Sequence, residues 1–179
     1  HGELPVAVAM GPQVDAQGLV FGAEALVRWH HPERGLVMPA QFIPQAEECG
    51  MVLDIGAWVM GEACRTLADW SRQEGMAHLT LAVNVSVKQF LGPDFLDHTL
   101  EQVRSAGAPP QRLMLEVTES VLIKDVDAVT EAIRSLKACG IRLSLDDFGT
   151  GYSSLAYLRR LPLDEIKIDA SFVRDLLTD

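Results

Sequence analysis

Strand-like and helical patterns alternate through the second half of this 179-residue chain. The strand-like runs, each largely apolar, are 79–86, 113–120, 141–147 and 164–171, and they recur roughly every 25–35 residues. The helical patterns between them are 94–107, 125–140 and 153–161. Because a helix between two strands normally makes a parallel crossover, this alternation predicts an α/β fold in which helices cover a parallel sheet.

The first half of the chain has a different pattern. Strand-like runs at 5–10 and 20–29 are separated by the turn-like sequence "DAQG" at 15–18, which predicts a hairpin with an antiparallel first strand. Two helices are predicted next, at 39–50 and 54–75. Pro39 and Gly50 mark the ends of the first, while Asp54 and Gly75 are the expected N-cap and C-cap of the second.

Composition and charge exclude several classes of protein. The formal net charge of −10 argues against a surface that binds a nucleic-acid polymer. No apolar run approaches the roughly 18 residues of a membrane span, and no signal peptide is recognised. The three cysteines include no C-x-x-C pair, which favours a reducing, cytoplasmic compartment, although the full protein could be membrane-anchored. Because residue 1 is histidine, we expect a piece of a longer protein.

Each predicted strand has one apolar face and one face with polar groups, because side chains alternate along a strand. In 141–147, for example, Leu143 and Leu145 oppose Ser144 and Asp146. The polar groups near the carboxyl ends of the strands are Asn84, Glu116, Asp146, Asp147 and Lys167, joined by Glu24 and Arg28 from the first half. In barrels and open α/β sheets this edge is where functional sites are built.

This set of side chains favours a metal centre. Several carboxylates buried close together raise one another's pKa values, and a divalent cation removes that cost. Carboxylate and amide oxygens suit Mg²⁺ or Mn²⁺, and two ions about 3.5–4 Å apart suit phosphoester hydrolysis. Lys167 would then orient the attacking water and Arg28 would bind a phosphate. The alternative, polar caps and salt bridges at strand ends, accounts for single residues better than for the whole set.

Two short motifs resemble other nucleotide sites without completing them. "DFG" at 147–149 lacks the lysine strand and the H-R-D loop that a kinase needs upstream. "GTGYSS" places Ser154 where a dinucleotide fingerprint has its third glycine.

Six segments, taken in order, resemble the EAL-domain cyclic-di-GMP phosphodiesterases. They are "GAEALVRWHHP" (22–32), "PAQFIPQAEECG" (39–50), "LAVNVSVKQF" (81–90), "LEVTES" (115–120), "LDDFGTGYSSL" (145–155) and "LPLDEIKID" (161–169). The resemblance implies a modified (β/α)8 TIM-like barrel with an antiparallel first strand. Residues 1–179 would be a single, partial EAL-type domain that lacks its N-terminal edge and its last two strand–helix units.

The resemblance also implies hydrolysis of cyclic di-GMP to linear pGpG by a two-metal mechanism with Mg²⁺ or Mn²⁺. The implied ligands of one metal are Glu24, Asn84, Glu116 and Asp146, with Asp146 and Asp147 connecting the two metals. Lys167 matches the lysine at the catalytic water, Arg28 and Leu26 match substrate contacts, and Glu119 matches the glutamate that stabilises the loop after the aspartate pair. The partners that the resemblance implies are cyclic di-GMP, a second copy of the domain in a homodimer, and linked sensory or GGDEF-type domains.

Two departures from the family pattern leave an alternative open. Gly11 occupies the position of a glutamine that helps shape the family's substrate site. A further active-site glutamate and a late glutamine belong to segments after residue 179. The alternative is therefore a catalytically weak or inactive EAL-type domain that acts as a cyclic-di-GMP receptor or signal-relay module.

Overall fold

The computed structural model describes residues 5–123, 126–149 and 160–169. The strands in this part are β1 (Val6–Val14), β2 (Val20–His31), β3 (Gly35–Val37), β4 (Thr80–Asn84), β5 (Leu113–Thr118), β6 (Arg142–Phe148) and β7 (Glu165–Ile168). The helices are α1 (Pro39–Cys49), α2 (Val52–Trp70), α3 (Val87–Phe90), α4 (Phe95–Ala106) and α5 (Val126–Ala138). Single 3₁₀ segments at Pro110–Arg112 and Glu119–Ile123 flank β5.

One sheet joins all seven described strands. Its order is β1-β2-β4-β5-β6-β7, with the short β3 paired to β2. β1 and β3 run antiparallel to β2, whereas β2, β4, β5, β6 and β7 pair in parallel. Within the described residues β1 and β7 end the order without pairing with each other, so the sheet is open. The predicted α/β class and the antiparallel first strand are confirmed.

The hairpin between β1 and β2 is closed by Asp15. Its Oδ1 accepts hydrogen bonds from the N–H groups of Gln17 and Leu19, both at 2.9 Å, as in an Asx turn. β1 continues to Val14, beyond the predicted end at residue 10, although Gly11 and Pro12 lie within it. Proline lacks a donor for a strand ladder and is tolerated on an edge strand, which is the position of β1 in the described sheet.

The predicted helix boundaries were accurate for α1 and wrong for α2. α1 ends at Gly50, which has a left-handed φ of 83°. α2 begins at Val52 and ends at Trp70, so Asp54 lies in its first turn and Gly75 lies beyond it. Residues 71–75 are exposed, and without an apolar face to bury they gain little from remaining helical.

Some elements were not predicted, and one prediction falls outside the described residues. α3 follows a capping box in which Ser86 Oγ accepts from Gln89 N–H at 3.3 Å and Gln89 Oε1 accepts from Ser86 N–H at 3.1 Å. Most of the predicted helix at 153–161 lies in the undescribed segment 150–159. No helix in the described part of the chain has the length and apolarity to span a membrane.

The apolar faces of the central strands form the core, as predicted. Fully buried strand residues are Leu81, Leu113, Leu115, Leu143 and Leu145, and they pack with buried residues of the helices such as Cys64, Leu67, Ile133 and Leu136. β7 departs from this pattern, because Ile166 and Ile168 are 41% and 55% exposed. The covering helix layer among the described residues therefore ends before β7.

Leu115→Ala should destabilise the protein by about 2–5 kcal/mol, because it opens a cavity in a closely packed layer. Leu115 is fully buried at the centre of β5. Urea unfolding followed by circular dichroism measures the change. Leu53→Ala is the matched control, since Leu53 is 50% exposed on α2 and its truncation should stay within roughly 0.5 kcal/mol. Equal losses in the two variants would contradict the assignment of the core.

Candidate functional site

The parallel register brings the predicted polar side chains to one edge of the sheet. Asn84, the last residue of β4, is paired with Glu116 on β5, and Glu116 is paired with Ser144 on β6. Asp146 lies one side-chain repeat further along β6, beside Thr118. Paired residues of neighbouring strands point to the same face, so these groups share the side of the sheet opposite the leucine core.

Glu116 lies at the centre of this group and is the most buried of its carboxylates. Only 1% of the residue is exposed, and its Oε1 forms an ion pair with Lys167 Nζ from β7. Lys167 Nζ also lies 3.9 Å from Asp146 Oδ2. Among the described residues no hydrogen-bond donor reaches Glu116 Oε2. One buried carboxylate oxygen thus faces the site without compensation.

Burial and neighbouring charges perturb this pair in a consistent way. Burial raises the pKa of Glu116 to about 7, although the Lys167 ammonium acts in the opposite direction. For Lys167, burial lowers the pKa, but the carboxylates of Glu116 and Asp146 outweigh it and the net pKa is raised. Lys167 therefore stays charged at neutral pH, whereas Glu116 gains or loses its proton near neutral pH.

A second pair lies on the neighbouring strands. Asn84 Nδ2 donates a hydrogen bond of 2.6 Å to Glu24 Oε1, across β4 and β2. These four polar groups thus form two separate pairs, Asn84 with Glu24 and Lys167 with Glu116. In keeping with this, no three carboxylate, imidazole or thiol groups of the described residues are gathered where one ion could bind them all.

Asp147 reaches the site through an irregularity in β6. Residues 145 and 148 pair with 166 and 168, so Asp146 and Asp147 together stand against the single residue Lys167. This two-against-one arrangement is a β-bulge, and Asp147 adopts a left-handed φ of 56° within it. The sequence-based interpretation, in which the strand ends at residue 147, was wrong because β6 continues to Phe148.

The bulge places two carboxylates next to each other. Asp147 N–H donates to Asp146 Oδ1 at 3.0 Å. Burial and the charges of Asp146 and Asp169 raise the pKa of Asp147, against the opposing effect of Lys167. The unfavourable proximity of these acids is the electrostatic situation that a bound cation relieves.

Glu119 holds the backbone just after the bulge. It is buried, and its Oε2 accepts a hydrogen bond from Gly149 N–H at 3.3 Å. Gly149 has a φ of 102°, which a side chain would strain. The loop that this contact would stabilise continues into the undescribed segment 150–159, so the loop-stabilising role of Glu119 stays a prediction.

A cavity of about 740 Å³ opens beside the polar edge. Leu26, Asn84 and Glu116 line its sheet side, and Pro39 and Ile43 of α1 line the other. Arg28 is half-buried on the same strand face as Glu24, and its Nη1 donates to the carbonyl of Val27 at 2.9 Å. Among the described residues no carboxylate lies within ion-pairing distance of Arg28, which leaves its charge for an anion. The α1 wall, encoded in "PAQFIP", was not predicted as part of the site.

The sequence profile of the EAL domain matches residues 6–179, which is nearly the whole chain. The chain belongs to the EAL domain family. A curated relative of this EAL domain is the bifunctional diguanylate cyclase/cyclic di-GMP phosphodiesterase MucR of Pseudomonas aeruginosa, 45% identical over 162 residues. That alignment covers 90% of this chain and 24% of MucR, so the chain spans about a quarter of that relative's length.

Solved structures of EAL proteins superpose closely on this EAL domain. A MucR phosphodiesterase in complex with c-di-GMP has a TM-score of 0.91 and 43% identity, over 98% of this chain and 71% of that one. The EAL enzyme Bd1971, with cAMP and cyclic-di-GMP bound, has a TM-score of 0.88 and 34% identity, over 98% of this chain and 48% of that one. The family and fold implied by the sequence resemblance are confirmed.

The donor chemistry of the EAL domain fits a hard divalent cation. Its polar edge presents carboxylates and one amide, Asn84, with no imidazole or thiol among the residues described there. The uncompensated Glu116 Oε2 is the specific observation that points to a cation. Binding one ion would require Glu116 and Glu24 to exchange their present partners, Lys167 and Asn84, for the metal.

Proposed function

We propose that this EAL domain hydrolyses cyclic di-GMP to linear pGpG with two Mg²⁺ or Mn²⁺ ions. The observation that carries the proposal is the buried Glu116 carboxylate, flanked by Asn84 and Asp146 and facing Lys167 at the carboxyl edge of the sheet. Membership of the EAL family and the c-di-GMP complex of the similar MucR phosphodiesterase support the choice of substrate.

The proposed roles follow from where each side chain lies. Glu24, Asn84, Glu116 and Asp146 would hold one ion, and the Asp146–Asp147 bulge would present carboxylates to both. When bound, the two ions would supply Lewis-acid activation of water and neutralise charge on the phosphate. Lys167 Nζ would then donate to the attacking water and hold it in position. Leu26, on the cavity wall, and Arg28, which has no carboxylate partner among the described residues, would bind the substrate.

Incubation of the domain with cyclic di-GMP and Mg²⁺ or Mn²⁺ tests this function. We expect pGpG to accumulate, measured by liquid chromatography, and no product to form when a chelator removes the metal. Intact binding of cyclic di-GMP without any pGpG would contradict the enzymatic proposal.

Asp146→Asn should weaken metal binding, because it replaces a charged ligand with a neutral one. A ligand that binds the folded state raises the melting temperature, and at a fixed concentration the rise is larger when binding is tighter. Mg²⁺ should therefore raise the melting temperature of the parent more than that of Asp146→Asn, measured by differential scanning fluorimetry. Asp69→Asn is the matched control, since Asp69 lies on the exposed surface of α2. An equal response in parent and Asp146→Asn would argue against the metal site.

A cyclic-di-GMP receptor is the second candidate, and Gly11 favours it. Gly11 is paired with Glu24 across β1 and β2, so a side chain there would project on the face of Glu24. A Cβ at this position would lie 3.0 Å from Leu26 Cδ1, next to the cavity. Calorimetry without metal separates the candidates, because tight metal-free binding together with no hydrolysis favours the receptor.

The wider assembly is also a proposal. The paired activities in the name of MucR support a longer protein in which this EAL domain is linked to a GGDEF-type or sensory domain. A homodimer of the EAL domain stays a prediction, which sedimentation velocity over a range of concentrations would test.

A further inference from the structure

Asp164 makes an unusual set of contacts just before β7. Its Oδ2 accepts a hydrogen bond from Leu143 N–H at 2.9 Å, and its own N–H donates to the carbonyl of Leu143, also at 2.9 Å. Both backbone groups of Leu143 are thus satisfied by one residue. The carboxylate serves as the acceptor that a neighbouring strand would otherwise supply to β6.

Lys137 of α5 completes this arrangement, which we call the Asp164 clamp: Lys137, Leu143 and Asp164. Lys137 Nζ donates to Asp164 Oδ1 at 2.7 Å, and both side chains are partly buried. Burial raises the pKa of Asp164, but the hydrogen bonds from Lys137 and Leu143 outweigh it and the net pKa is lowered. The carboxylate is therefore ionised at neutral pH and bonded on both oxygens.

The clamp lies at the point where the register of β7 is set. Leu143 is three residues before Asp146 on β6, and Asp164 is three residues before Lys167 on β7. The ladder that follows pairs Ser144 with Glu165 and then reaches the bulge. In this register Lys167 falls opposite the two aspartates of the bulge.

A slip of β7 by one residue would remove Lys167 from the site. Side chains alternate with a period of two, so a one-residue slip turns every side chain to the other face of the sheet. Lys167 would then point to the opposite face of the sheet, away from Glu116. β7 has only four residues, and Ile166 and Ile168 are exposed, so burial of its apolar side chains resists such a slip weakly.

We infer that Asp164 is a positioning residue for Lys167, acting by locking β7 to β6 in the register that aims the ammonium at Glu116 and the aspartate bulge. The inference rests on the proposed function only for its kinetic consequences. The lock itself is a property of the strands and can be measured without turnover.

Asp164→Ala should lower kcat by about 10–100-fold, the size of loss expected when a group is misplaced by an ångström or more. KM should stay near its parental value, because Asn84, Glu116 and Asp146 lie on other strands. In a Lys167→Ala background the same change should have no further effect on kcat, because the group it positions is already gone. Equal loss in both backgrounds would overturn the inference and indicate a general defect.

Chemical labelling of lysine tests the lock without activity. An acylating reagent, followed by mass spectrometry of peptides, should modify Lys167 several-fold faster in Asp164→Ala than in the parent. Asp127→Ala is the matched control. It removes an aspartate of α5 that pairs with Arg160, which also precedes β7. Within the described part of the chain, no hydrogen bond joins Asp127 to the backbone of β6. Lys167 labelling in this control should match the parent.

Two further variants keep the test decisive if Asp164→Ala folds poorly. Asp164→Asn retains an acceptor for Leu143 N–H and loses the ion pair, and Lys137→Met loses the ion pair alone. Both variants should label Lys167 faster than the parent does. If Asp164→Ala is folded, both should label Lys167 more slowly than Asp164→Ala does. Parental labelling rates in Asp164→Asn and Asp164→Ala would overturn the inference, whether or not the parent hydrolyses cyclic di-GMP.

Discussion

Glu116→Gln should remove hydrolysis of cyclic di-GMP almost completely. Changes to groups that merely support a metal ligand typically cost about 10–100-fold in activity or affinity, so loss of a central ligand should exceed that range. Glutamine has nearly the same shape as glutamate, which should preserve packing around a side chain that is fully buried on β5. The rate of pGpG formation at saturating Mn²⁺ measures the effect.

The same residue should make metal binding depend on pH. A metal competes with protons for a carboxylate, so binding weakens wherever the carboxyl group is protonated. Burial raises the pKa of Glu116 to about 7 in the metal-free protein. The Mg²⁺-induced rise in melting temperature should therefore be larger at about pH 8 than at about pH 6, and Glu116→Gln should reduce this difference.

The stability of the metal-free protein should depend on pH in the opposite direction to metal binding. A carboxyl group whose pKa is raised on folding stabilises the fold below its unfolded pKa, and that contribution is lost as the pH rises through the folded value. For Glu116 the loss spans the range from its ordinary value of 4.5 to about 7.

Glu131→Gln is the control for the rate of hydrolysis and for the pH dependence of metal binding. Glu131 is an exposed residue of α5 that lies 3.8 Å from Arg134, so its change should alter neither the rate nor the pH dependence of metal binding. Parental hydrolysis in Glu116→Gln would contradict the assignment of Glu116 as a ligand. A metal response that is equal at both pH values in the parent would contradict the proton competition.

Strand alternation explains why so much of the site could be predicted from sequence. Once a strand is recognised, the period of two assigns Glu116, Asp146 and Lys167 to the face opposite the leucines. The parallel order then gathers their strand ends at one edge, because each crossover returns the chain in the same direction. Neither step needs the distances between strands.

The contacts within the site could not be predicted without the distances between strands. That Lys167 pairs with Glu116, and Asn84 with Glu24, depends on the stagger between strands and on side-chain rotamers. Asp147 violates the alternation because its left-handed backbone inserts an extra residue into β6. Asp164 lies in the segment 161–169 but had no predicted role, since its contacts with Leu143 form only when β6 and β7 are adjacent.

The prediction of helix ends was limited in a similar way, because some helix ends depend on tertiary structure. Gly50 ends α1 because glycine adopts the left-handed conformation there, and that signal is local. α2 ends at Trp70 although the following residues have no strong breaker before Gly75, because beyond Trp70 the chain is exposed. A local pattern cannot show where the layer beneath a helix stops.

Lys167→Met should reduce hydrolysis by more than about 100-fold while strengthening metal binding, because both effects come from the same ammonium group. In the metal-free protein Lys167 Nζ pairs with Glu116 Oε1 and lies 3.9 Å from Asp146 Oδ2. It therefore occupies the electrostatic position of a cation, and an incoming ion must displace it from Glu116. Methionine has a similar length and no charge, so it removes this competition together with the donor to the attacking water.

The two effects make the prediction for Lys167→Met specific. Without the ammonium, Glu116, Asp146 and Asp147 repel one another, so the metal-free variant should melt at a lower temperature than the parent. Mg²⁺ should restore more stability to it than to the parent, with a smaller dissociation constant by calorimetry. Arg134→Met, which deprives Glu131 of its cationic partner on the exposed surface of α5, should leave metal affinity at the parental value because neither residue lies in the site. Metal binding by Lys167→Met that is no tighter than in the parent would show that Lys167 does not compete with the ion, and its role would then be confined to the attacking water.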